Sequence, residues 1–242
     1  MFKTKVSGIW RNVVLRIKVL SSWKEVVRGS VKVSGTWRTF YKRLVVSNGL
    51  LNWWGLDGVR ADYITMTSVA LSAGASFQSI AGKLALRLVS GGYATTPSIA
   101  LGSGPWTINL WYYPVSIASY SHLLTHADGQ AYFTLKLGMT GVFPGRPYLY
   151  AQSLGGSQVA DTALAMNQWS MVTFTYTAGR LRIYVNGVLS GTFSITLTVP
   201  AGQMRMGVGH NEEASNGYQR DVSRFDRELT QAEITALYND QL

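Results

Sequence analysis

The stretch from residue 168 to residue 189 constrains the fold of this chain more than any other. Residues 168–176 and 179–187 alternate apolar and polar side chains with the period of two that is typical of β-strands. The second segment ends in Asn186-Gly187, which leads into Val188-Leu189. Asn-Gly is the strongest short hairpin signal, because both central residues of a type I′ turn need positive φ. The pattern therefore predicts consecutive antiparallel strands.

Other segments extend this pattern along the chain. Residues 50–58 and 106–114 read as apolar strands, and the second ends at Pro114, which cannot donate a hydrogen bond to a ladder. A turn at 126–129 precedes another strand at 131–137. Hydrophobic residues make up 47% of the chain and 25 residues are glycine, so a large core joined by tight turns is expected. Many short strands between turn signals predict a sandwich or jelly roll.

Four stretches carry a family resemblance, and they occur in the expected order: LLNWWGLDG (50–58), WTINLWYYP (106–114), QWSMVTFTYTAGRLRIYVNG (168–187) and GYQRDVSRFDRELTQAEITALYND (217–240). Together they resemble the laminin-G-like, concanavalin A-like lectin jelly-roll family. The resemblance implies an all-β fold, an antiparallel β-sandwich with one short C-terminal helix, over residues 46–242. It also implies a module that binds sugars or proteins more often than it catalyses a reaction.

The C-terminal helix is also predicted from its own residues. Thr230 and Glu233 have the spacing of a capping box, in which each side chain satisfies the other's backbone N–H. Leu229 and Ile234 occupy the two positions of a hydrophobic staple. We expect this helix to pack on the sandwich and to carry no chemistry.

Residues 1–45 differ in charge from the rest of the chain. They contain 11 Lys and Arg residues against Glu25 alone, a net charge of +10, whereas residues 46–242 hold 11 basic and 11 acidic side chains. Short SGxW-type units recur there, with Trp10, Trp23 and Trp37 at spacings of 13 and 14. We interpret each unit as a turn plus a strand, in a β-repeat module of three short strands. Such a module needs neighbours to become stable.

The SGxW units resemble short repeats in tail-fibre and other virion proteins of tailed bacteriophages. This resemblance implies a module that anchors the chain or forms a homo-oligomer, such as a trimer, on the exterior of a phage particle. The expected anchoring residues are Trp10, Trp23, Trp37, Arg16, Lys18 and Lys32. A plain β-meander, with these Trp residues in its core, is an equally open interpretation. We favour docking to other virion proteins over binding to nucleic acid. The regular spacing of the Trp residues fits packing in a core better than stacking on bases.

The chain shows no pattern typical of catalysis. Glycoside hydrolysis needs two carboxylates about 5–10 Å apart, and no acid-x-acid-x-acid run is present. Glu212-Glu213 reads as a solvated turn, and the three histidines, His122, His126 and His210, lack metal-ligand spacing on a helix. Cys is absent. We therefore predict that the protein is not an enzyme.

Metal binding is left open by the sequence. The family resemblance implies calcium near the rim of the sheets, and Asp57, Asp221 and Asp226 lie in its acid-bearing stretches. Arg220 stands where that pattern often has an acid, which weakens the assignment. We interpret Asp226, beside Arg224 and Arg227, as a partner in surface ion pairs.

The remaining candidate is a binding surface. Sugar sites combine aromatic faces with a few oriented polar groups, and three predicted loops supply both kinds. The candidate ligand-binding residues are Tyr120, His122, Tyr148, Tyr150, Gln152, Asn211, Asn216 and Tyr218. In the alternative interpretation, most of these tyrosines pack inside the sandwich.

The expected function is thus that of a phage virion protein, in the tail fibre or as a capsid decoration, that displays a lectin-like domain to host surface glycans. No uncharged apolar run approaches the roughly 20 residues that span a bilayer, so no membrane insertion is expected. Two alternatives remain: a purely structural capsid decoration protein, and a carbohydrate-active enzyme or its accessory module. The sequence does not choose between head and tail, and it does not name the glycan.

Overall fold

A computed structural model describes residues 45–89, 91–127, 133–209 and 215–241, together with the backbone of six strands within the first 44 residues. The chain divides into two compact units, residues 1–48 and 49–240. The boundary after residue 45 that charge suggests stays a prediction.

The six strands described in the first unit form three antiparallel pairs, each a separate two-stranded sheet, which we call hairpins. Their strands are β1 (Phe2–Val6), β2 (Ile9–Val13), β3 (Arg16–Val19), β4 (Ser22–Glu25), β5 (Arg28–Val33) and β6 (Thr36–Lys42). The prediction of one strand per unit is therefore wrong, because each repeat contributes two paired strands.

The backbone register shows how closely the hairpins repeat. In each of them a lysine lies directly opposite a tryptophan, with the pairs Lys5–Trp10, Lys18–Trp23 and Lys32–Trp37. The repeat is thus longer than its SGxW signature, because it also includes the Lys-Val that precedes each turn. The middle unit keeps the same Lys-to-Trp spacing as the other two. The side chains of all six predicted anchoring residues, Arg16 included, lie outside the described residues.

The described residues of the second unit form fifteen strands and one α-helix. The strands are β7 (Leu50–Trp54), β8 (Ala70–Leu71), β9 (Ala75–Ile80), β10 (Lys83–Leu88), β11 (Ala94–Thr95), β12 (Trp106–Pro114), β13 (Ser121–His126), β14 (Thr134–Met139), β15 (Val142–Ala151), β16 (Gly156–Val159), β17 (Ser170–Thr177), β18 (Arg180–Val185), β19 (Val188–Ser194), β20 (Met204–Met206) and β21 (Gly217–Phe225). The helix is α1 (Gln231–Gln241), and a 3₁₀ helix spans Gln152–Leu154.

The fifteen strands form two antiparallel sheets. The eight-stranded sheet has the order β19-β18-β17-β12-β21-β10-β9, with β7 also paired to β21, and the seven-stranded sheet has the order β16-β15-β14-β13-β20-β11-β8. The predicted antiparallel sandwich with one C-terminal helix is therefore confirmed. The central hairpin is confirmed as well, because Asn186 and Gly187 join β18 to β19 with φ values of 51° and 79°.

The core lies between the inner faces of the two sheets. Alternate residues of β12, namely Trp106, Ile108, Leu110 and Tyr112, belong to one apolar cluster with Leu135 and other residues of the seven-stranded sheet. Burial raises the pKa of Tyr112 to about 12, so its hydroxyl stays protonated inside the core. Successive side chains of β12 therefore alternate between the core and the outer face of the sheet. Both sets are buried, because another part of the chain covers the outer face.

The C-terminal segment provides that outer cover. The backbone N–H of Thr230 donates to Glu233 Oε2 (2.9 Å), and the N–H of Glu233 donates to Thr230 Oγ1 (3.3 Å), which confirms the capping box. The ring of Tyr238 stacks on Trp111, with centroids 5.7 Å apart. The helix therefore packs on the outer face of the eight-stranded sheet.

Candidate functional site

Three tyrosines surround one lysine on the outer face of the seven-stranded sheet. The Lys136 ammonium lies 4.9 Å from the ring centroid of Tyr120 and 6.0 Å from that of Tyr150. The ring of Tyr148 lies 6.2 Å from that of Tyr120 in an edge-on arrangement. Tyr120 and Tyr150 are half-buried, whereas Lys136 and Tyr148 are 4% exposed.

The strand register explains why these residues meet. Tyr148 lies opposite Lys136 on β14, and Tyr150 lies opposite Thr134. Residues directly opposite on neighbouring strands share a face, and Leu135 and Leu137, which alternate with them, point into the core. The polar and aromatic residues of β14 and β15 therefore all point away from the core.

A second aromatic–cation pair lies further across the same face. The guanidinium of Arg205 on β20 lies 5.6 Å from the ring of Tyr93, just before β11. Thr125 of β13 is opposite both Thr134 and Arg205, so threonine hydroxyls lie between the two pairs. We name this surface the tyrosine face: Tyr93, Tyr120, Thr125, Thr134, Lys136, Tyr148, Tyr150 and Arg205.

His122 lies under this face and is fully buried. Its Nδ1 is 3.1 Å from Thr125 Oγ1. Its carbonyl accepts the Gly207 N–H (2.9 Å) and the Ser215 hydroxyl (3.1 Å). A Cβ built on Gly209 would overlap the imidazole ring, so the backbone at Gly209 covers the histidine. His122 thus supports the face instead of presenting a ring to solvent.

The other predicted ligand-binding residues do not all join this group. Gln152 is exposed in the 3₁₀ helix just beyond β15. Asn216 is half-buried near the end of β12, and its carbonyl accepts the Val115 N–H at 2.9 Å. Asn211 lies outside the described residues, as do His210 and the Glu212-Glu213 pair. The expectation that these residues lie in loops is wrong for His122, Tyr148, Tyr150 and Tyr218, which lie on strands.

Tyr218 belongs to the opposite side of the sandwich. It is 8% exposed and packs edge-on against Tyr113, on the outer face of the eight-stranded sheet, with Ala85 beside them. The guanidinium of Arg220 lies 5.9 Å from Trp111 and 5.7 Å from Trp169. These aromatic residues pack against one another, so the alternative interpretation holds for Tyr218.

Sequence reasoning missed Tyr93, Lys136 and Arg205. The strand around Lys136 was predicted, and its alternation alone would have placed Lys136 on the face opposite Leu135 and Leu137. Tyr93 and Arg205 meet because β11 and β20 are neighbours in the sheet. The alternation of side chains along one strand does not reveal its neighbours. Phe143, 39% exposed and 6.0 Å from the ring of Tyr148 on the same strand, was missed as well.

A separate cleft of about 340 Å³ lies between β18 and the start of α1. Glu228 there accepts hydrogen bonds from Arg180 (3.0 Å) and Arg182 (2.9 Å). Burial raises the pKa of Tyr184, which also lines the cleft, and Arg182 opposes that shift. The charged groups of this cleft satisfy one another, and it lies on the outer side of the eight-stranded sheet.

The acids considered for calcium have protein partners. Asp57 accepts the Tyr63 hydroxyl (3.0 Å), and buried Asp221 accepts Trp53 Nε1 (3.2 Å) and Arg220 Nε (2.7 Å). Within the described ranges, no group of three or more His, Cys, Asp or Glu residues is arranged to hold a metal ion.

The ion pairs expected of Asp226 are replaced by other contacts. Arg227 pairs with Glu233, and Arg224 Nε donates to Asn52 Oδ1 (2.9 Å). Asp226 itself is exposed, and it acts on both arginines through longer-range electrostatic attraction.

Among the described residues, no helix has the length and apolar character needed to cross a membrane.

Comparison with solved structures places the fold among known sandwiches. Domain 4 of AbnA, a GH43 extracellular arabinanase from Geobacillus stearothermophilus in complex with arabinotriose, is 14% identical, with a TM-score of 0.66 over 80% of this chain and 100% of that domain. The binding domain of botulinum neurotoxin serotype D is 16% identical, with a TM-score of 0.63 over 80% of this chain and 52% of that one. The binding domain of botulinum neurotoxin DC in complex with SialylT is 14% identical, with a TM-score of 0.62 over 79% and 51%.

The chain thus spans the whole arabinanase domain and about half of each toxin binding domain. At these identities the likeness shows the fold alone. No curated protein sequence matches the chain.

One family model matches, and it matches residues 89–235, a range that includes β11 to β21 and the first half of α1. Its description is "Concanavalin A-like lectin/glucanases superfamily". The opening strand at residues 50–54, which carries part of the resemblance seen in the sequence, lies before the matched range. Because the match covers more than half of the chain, this protein belongs to the concanavalin A-like lectin/glucanase superfamily.

Proposed function

We propose that this protein is a bacteriophage virion protein that binds host surface glycans through the tyrosine face. The observation that carries the glycan part is the group of Tyr120, Tyr148 and Tyr150 around Lys136 on the outside of one sheet. The virion part is carried by the N-terminal repeats, as set out below.

The tyrosine face has the mixture of groups that carbohydrate sites use. Aromatic rings cover the apolar C–H faces of a sugar, while a small number of polar groups bind its hydroxyls and fix its orientation. Here the half-buried rings of Tyr120 and Tyr150 flank Lys136, and Thr125 and Thr134 lie buried between the strands. Because β15 fixes the rings of Tyr148 and Tyr150, little conformational entropy is lost there when a ligand binds.

Binding is favoured over hydrolysis by the distribution of acids. The seven strands of the sheet that carries the tyrosine face contain no Asp or Glu. A glycosidase of the usual kind needs a pair of carboxylates across the scissile bond. We therefore propose a binding protein without enzymatic activity. The competing proposal is a carbohydrate-active enzyme or its accessory module, and Asp128, Glu212 and Glu213 lie outside the described residues.

The similar structures lend support to a glycan ligand. One is described with bound arabinotriose and another with SialylT, so this sandwich serves in other proteins as a scaffold that holds sugars. The sequence identities are low, and the proposal therefore rests on the residues of this chain.

The three N-terminal hairpins support an anchoring and oligomerising role. A two-stranded hairpin alone is marginally stable in water, and each hairpin here is a separate sheet with two open edges. Open edges pair readily with strands from other chains. We propose that copies of this segment complete one another's sheets in a homo-oligomer, such as a trimer, and dock on other virion proteins. The net charge of +10 then favours an acidic protein surface.

Two experiments test these parts separately. A glycan array probed with the full chain tests binding, and we expect signals that fall when Tyr150 is replaced by alanine. Leu189→Ala is the matched control, because Leu189 is an exposed apolar residue on the other sheet. An array without signals would overturn the glycan part and would favour a purely structural decoration protein. Hydrolysis of any bound glycan would overturn the absence of catalysis.

Mass spectrometry of purified virions tests the particle assignment, and size-exclusion chromatography with light scattering tests the oligomer. If the chain is monomeric in solution and is not found in purified virions, the proposed anchoring role is overturned. A salt titration with DNA separates protein docking from nucleic-acid binding, because phosphate binding weakens steeply as salt rises.

A further inference from the structure

β15 leaves the ladder beside the tyrosine face and forms a bulge. On β14 the pairing advances by two residues, from Leu137 to Met139, whereas the partners on β15 are residues 147 and 142. Residues 143–146 are therefore inserted on β15 opposite a single residue of β14. Bulges bend a strand and re-aim its side chains, and they are over-represented next to functional sites. The bulge here contains Phe143, an aromatic residue that is 39% exposed.

The bulge folds over the outer face of the sheet at Gly138. Leu137 points into the core, so a side chain on its neighbour along β14 would point outward. A Cβ built on Gly138 would overlap the carbonyl oxygen of Phe143. The backbone of Phe143 therefore lies on the same face as Tyr148 and Tyr150, and the glycine at position 138 leaves room for it.

Phe143 has a backbone conformation that residues of its size rarely adopt. Its φ is 51°, in the left-handed region where the Cβ is crowded by a neighbouring carbonyl oxygen. A bulky residue there is an outlier, and such residues cluster at ligand sites, where the surrounding structure holds them in place. Glycine or asparagine would fit this position with less strain, so the local backbone does not explain the choice of phenylalanine.

Hydrogen bonds to the segment that follows β16 fix the bulge. The Leu164 N–H donates to the Gly145 carbonyl, and the Ala160 N–H donates to the Pro147 carbonyl, both at 2.8 Å. Arg146 Nε donates to the Ala160 carbonyl. The backbone of the bulge is therefore held in place before a ligand arrives, which lowers the entropy that binding costs.

The rings of Phe143, Tyr148 and Tyr150 form a row that follows β14. They lie beside residues 138, 136 and 134 of that strand, each two residues from the next, and the rings of Phe143 and Tyr148 are 6.0 Å apart. At a rise of about 3.4 Å per residue, the two ends of the row are roughly 14 Å apart. Tyr148, in the middle, is buried, whereas Phe143 and Tyr150 reach the surface. One sugar ring is about as wide as one aromatic ring, so a single sugar covers only one end.

We infer that Phe143 is a contact residue for the glycan, and that this glycan is a chain of several sugars lying along β14, with separate sugar rings on Phe143 and Tyr150. This inference rests on the proposed function, because it names the class of ligand for the same face. A single terminal sugar would leave one end of the row uncovered. A longer chain covers both ends, and it gains contact with each added sugar until the row is filled.

The test is isothermal titration calorimetry of the full chain with ladders of oligosaccharides that contain one to six sugars. The probes are ladders of α-1,5-linked arabinose, β-1,4-linked glucose and α-1,4-linked glucose, together with a ladder of any glycan that gives a signal on the array. We expect the affinity for a bound glycan to rise at least about tenfold between its one-sugar and four-sugar members. Beyond the length that fills the row, the affinity should change little.

Phe143→Asn is the main variant, because asparagine tolerates the left-handed backbone and removes the ring. We expect it to weaken binding of the six-sugar member about tenfold and to leave binding of the shortest bound member unchanged. Phe143→Tyr, which keeps a ring, should bind like the native chain. Met66→Asn is the matched control, because Met66 lies between β7 and β8 with a φ of 61° and is 53% exposed. Thermal melts of the three variants check that the fold is intact.

Equal affinity for one sugar and for the longer members of a ladder would overturn this inference and leave the proposed glycan binding standing. Unchanged binding of the six-sugar member by Phe143→Asn would also overturn it, and would show that the ring of Phe143 only covers Tyr148. The absence of any glycan signal would overturn the proposed function, and the inference with it.

Discussion

The outer faces of the two sheets contain similar residues but use them differently. On the eight-stranded sheet, Trp111 is 2% exposed beneath Tyr238 and beside Arg220. On the seven-stranded sheet, Tyr120 and Tyr150 also lie beside a cation, yet they remain half-buried. One face is covered by the chain's own C-terminal segment, and the other still presents rings at its surface.

This difference shows that residue type alone does not mark a binding site. An aromatic ring next to an arginine stabilises the fold where another part of the chain packs on it. The ring of such a pair can contact a ligand where it remains partly exposed, as Tyr120 and Tyr150 do. The two faces can be distinguished by asking whether a substitution lowers the free energy of unfolding or the affinity for glycan.

The largest expected effect is that of Trp111→Ala. This change removes a buried ring that stacks on Tyr238, and it should lower the free energy of unfolding by about 3–5 kcal/mol. Urea denaturation of the full chain measures it. A loss below about 1 kcal/mol would show that the outer cover of the eight-stranded sheet does not depend on this stacking.

The second effect is that of Gly209→Ala, beneath the tyrosine face. The new Cβ would overlap the ring of His122, and overpacking of this kind costs about 1–3 kcal/mol. Because His122 supports Thr125, glycan affinity should fall as well. Gly156→Ala is the matched control, since a Cβ there meets no atom within 4 Å. Equal stability of the two variants would contradict the assigned role of His122.

The third effect is the pH dependence contributed by Glu233. Hydrogen bonds from Arg227 lower the pKa of Glu233 to about 2, with the Thr230 N–H and hydroxyl adding to this effect. A carboxylate with a depressed pKa stabilises the fold fully above its unfolded pKa, near 4.5, and loses that contribution as the pH falls to about 2.

Glu233→Gln keeps a side chain that can cap the helix but removes the charge. It should cost less than about 1 kcal/mol at pH 7, as expected for a partly exposed ion pair. Denaturation curves between pH 7 and pH 2 measure the difference from the native chain, which should shrink towards acid. A constant difference over this range would contradict the assignment.

The smallest effect on stability is expected for Tyr120→Ala. Its half-buried ring lies just before β13, so the free energy of unfolding should change by about 0.5 kcal/mol or less. Glycan affinity should nevertheless fall at least tenfold, which is about 1.4 kcal/mol. Titration of a glycan identified on the array measures this. The reverse pattern, lost stability with unchanged affinity, would place Tyr120 with Trp111 as a packing residue.

The sequence predicted those features that depend on neighbours along the chain. The Asn186-Gly187 turn, the alternation on β12 and the Thr230–Glu233 capping box are all encoded within a few residues, and the structure confirms them. Tyr120, Tyr148 and Tyr150 of the tyrosine face were also named from the sequence as candidate residues, although they were assigned to loops and two of them lie on β15.

The rest depends on which strands are neighbours in space. Arg205 and Tyr93 meet only because β20 pairs with β11, more than 100 residues apart in sequence. Tyr218 was grouped with the loops because nothing near it in sequence reveals that it packs against Tyr113. In the first 45 residues, each SGxW unit was interpreted as one strand because the Lys-Val before each turn was not recognised as part of the repeat.

The three Lys–Trp registers also bear on how this segment can change in length. The three hairpins occupy successive stretches that do not overlap, residues 2–13, 16–25 and 28–42, and their Lys–Trp pairs recur at spacings of 13 and 14 residues. Duplication or loss of one such stretch of coding sequence would add or remove a complete hairpin and keep the remaining registers intact. A deletion of a few residues would instead break a Lys–Trp pair. Length variants of this segment should therefore differ by whole hairpins.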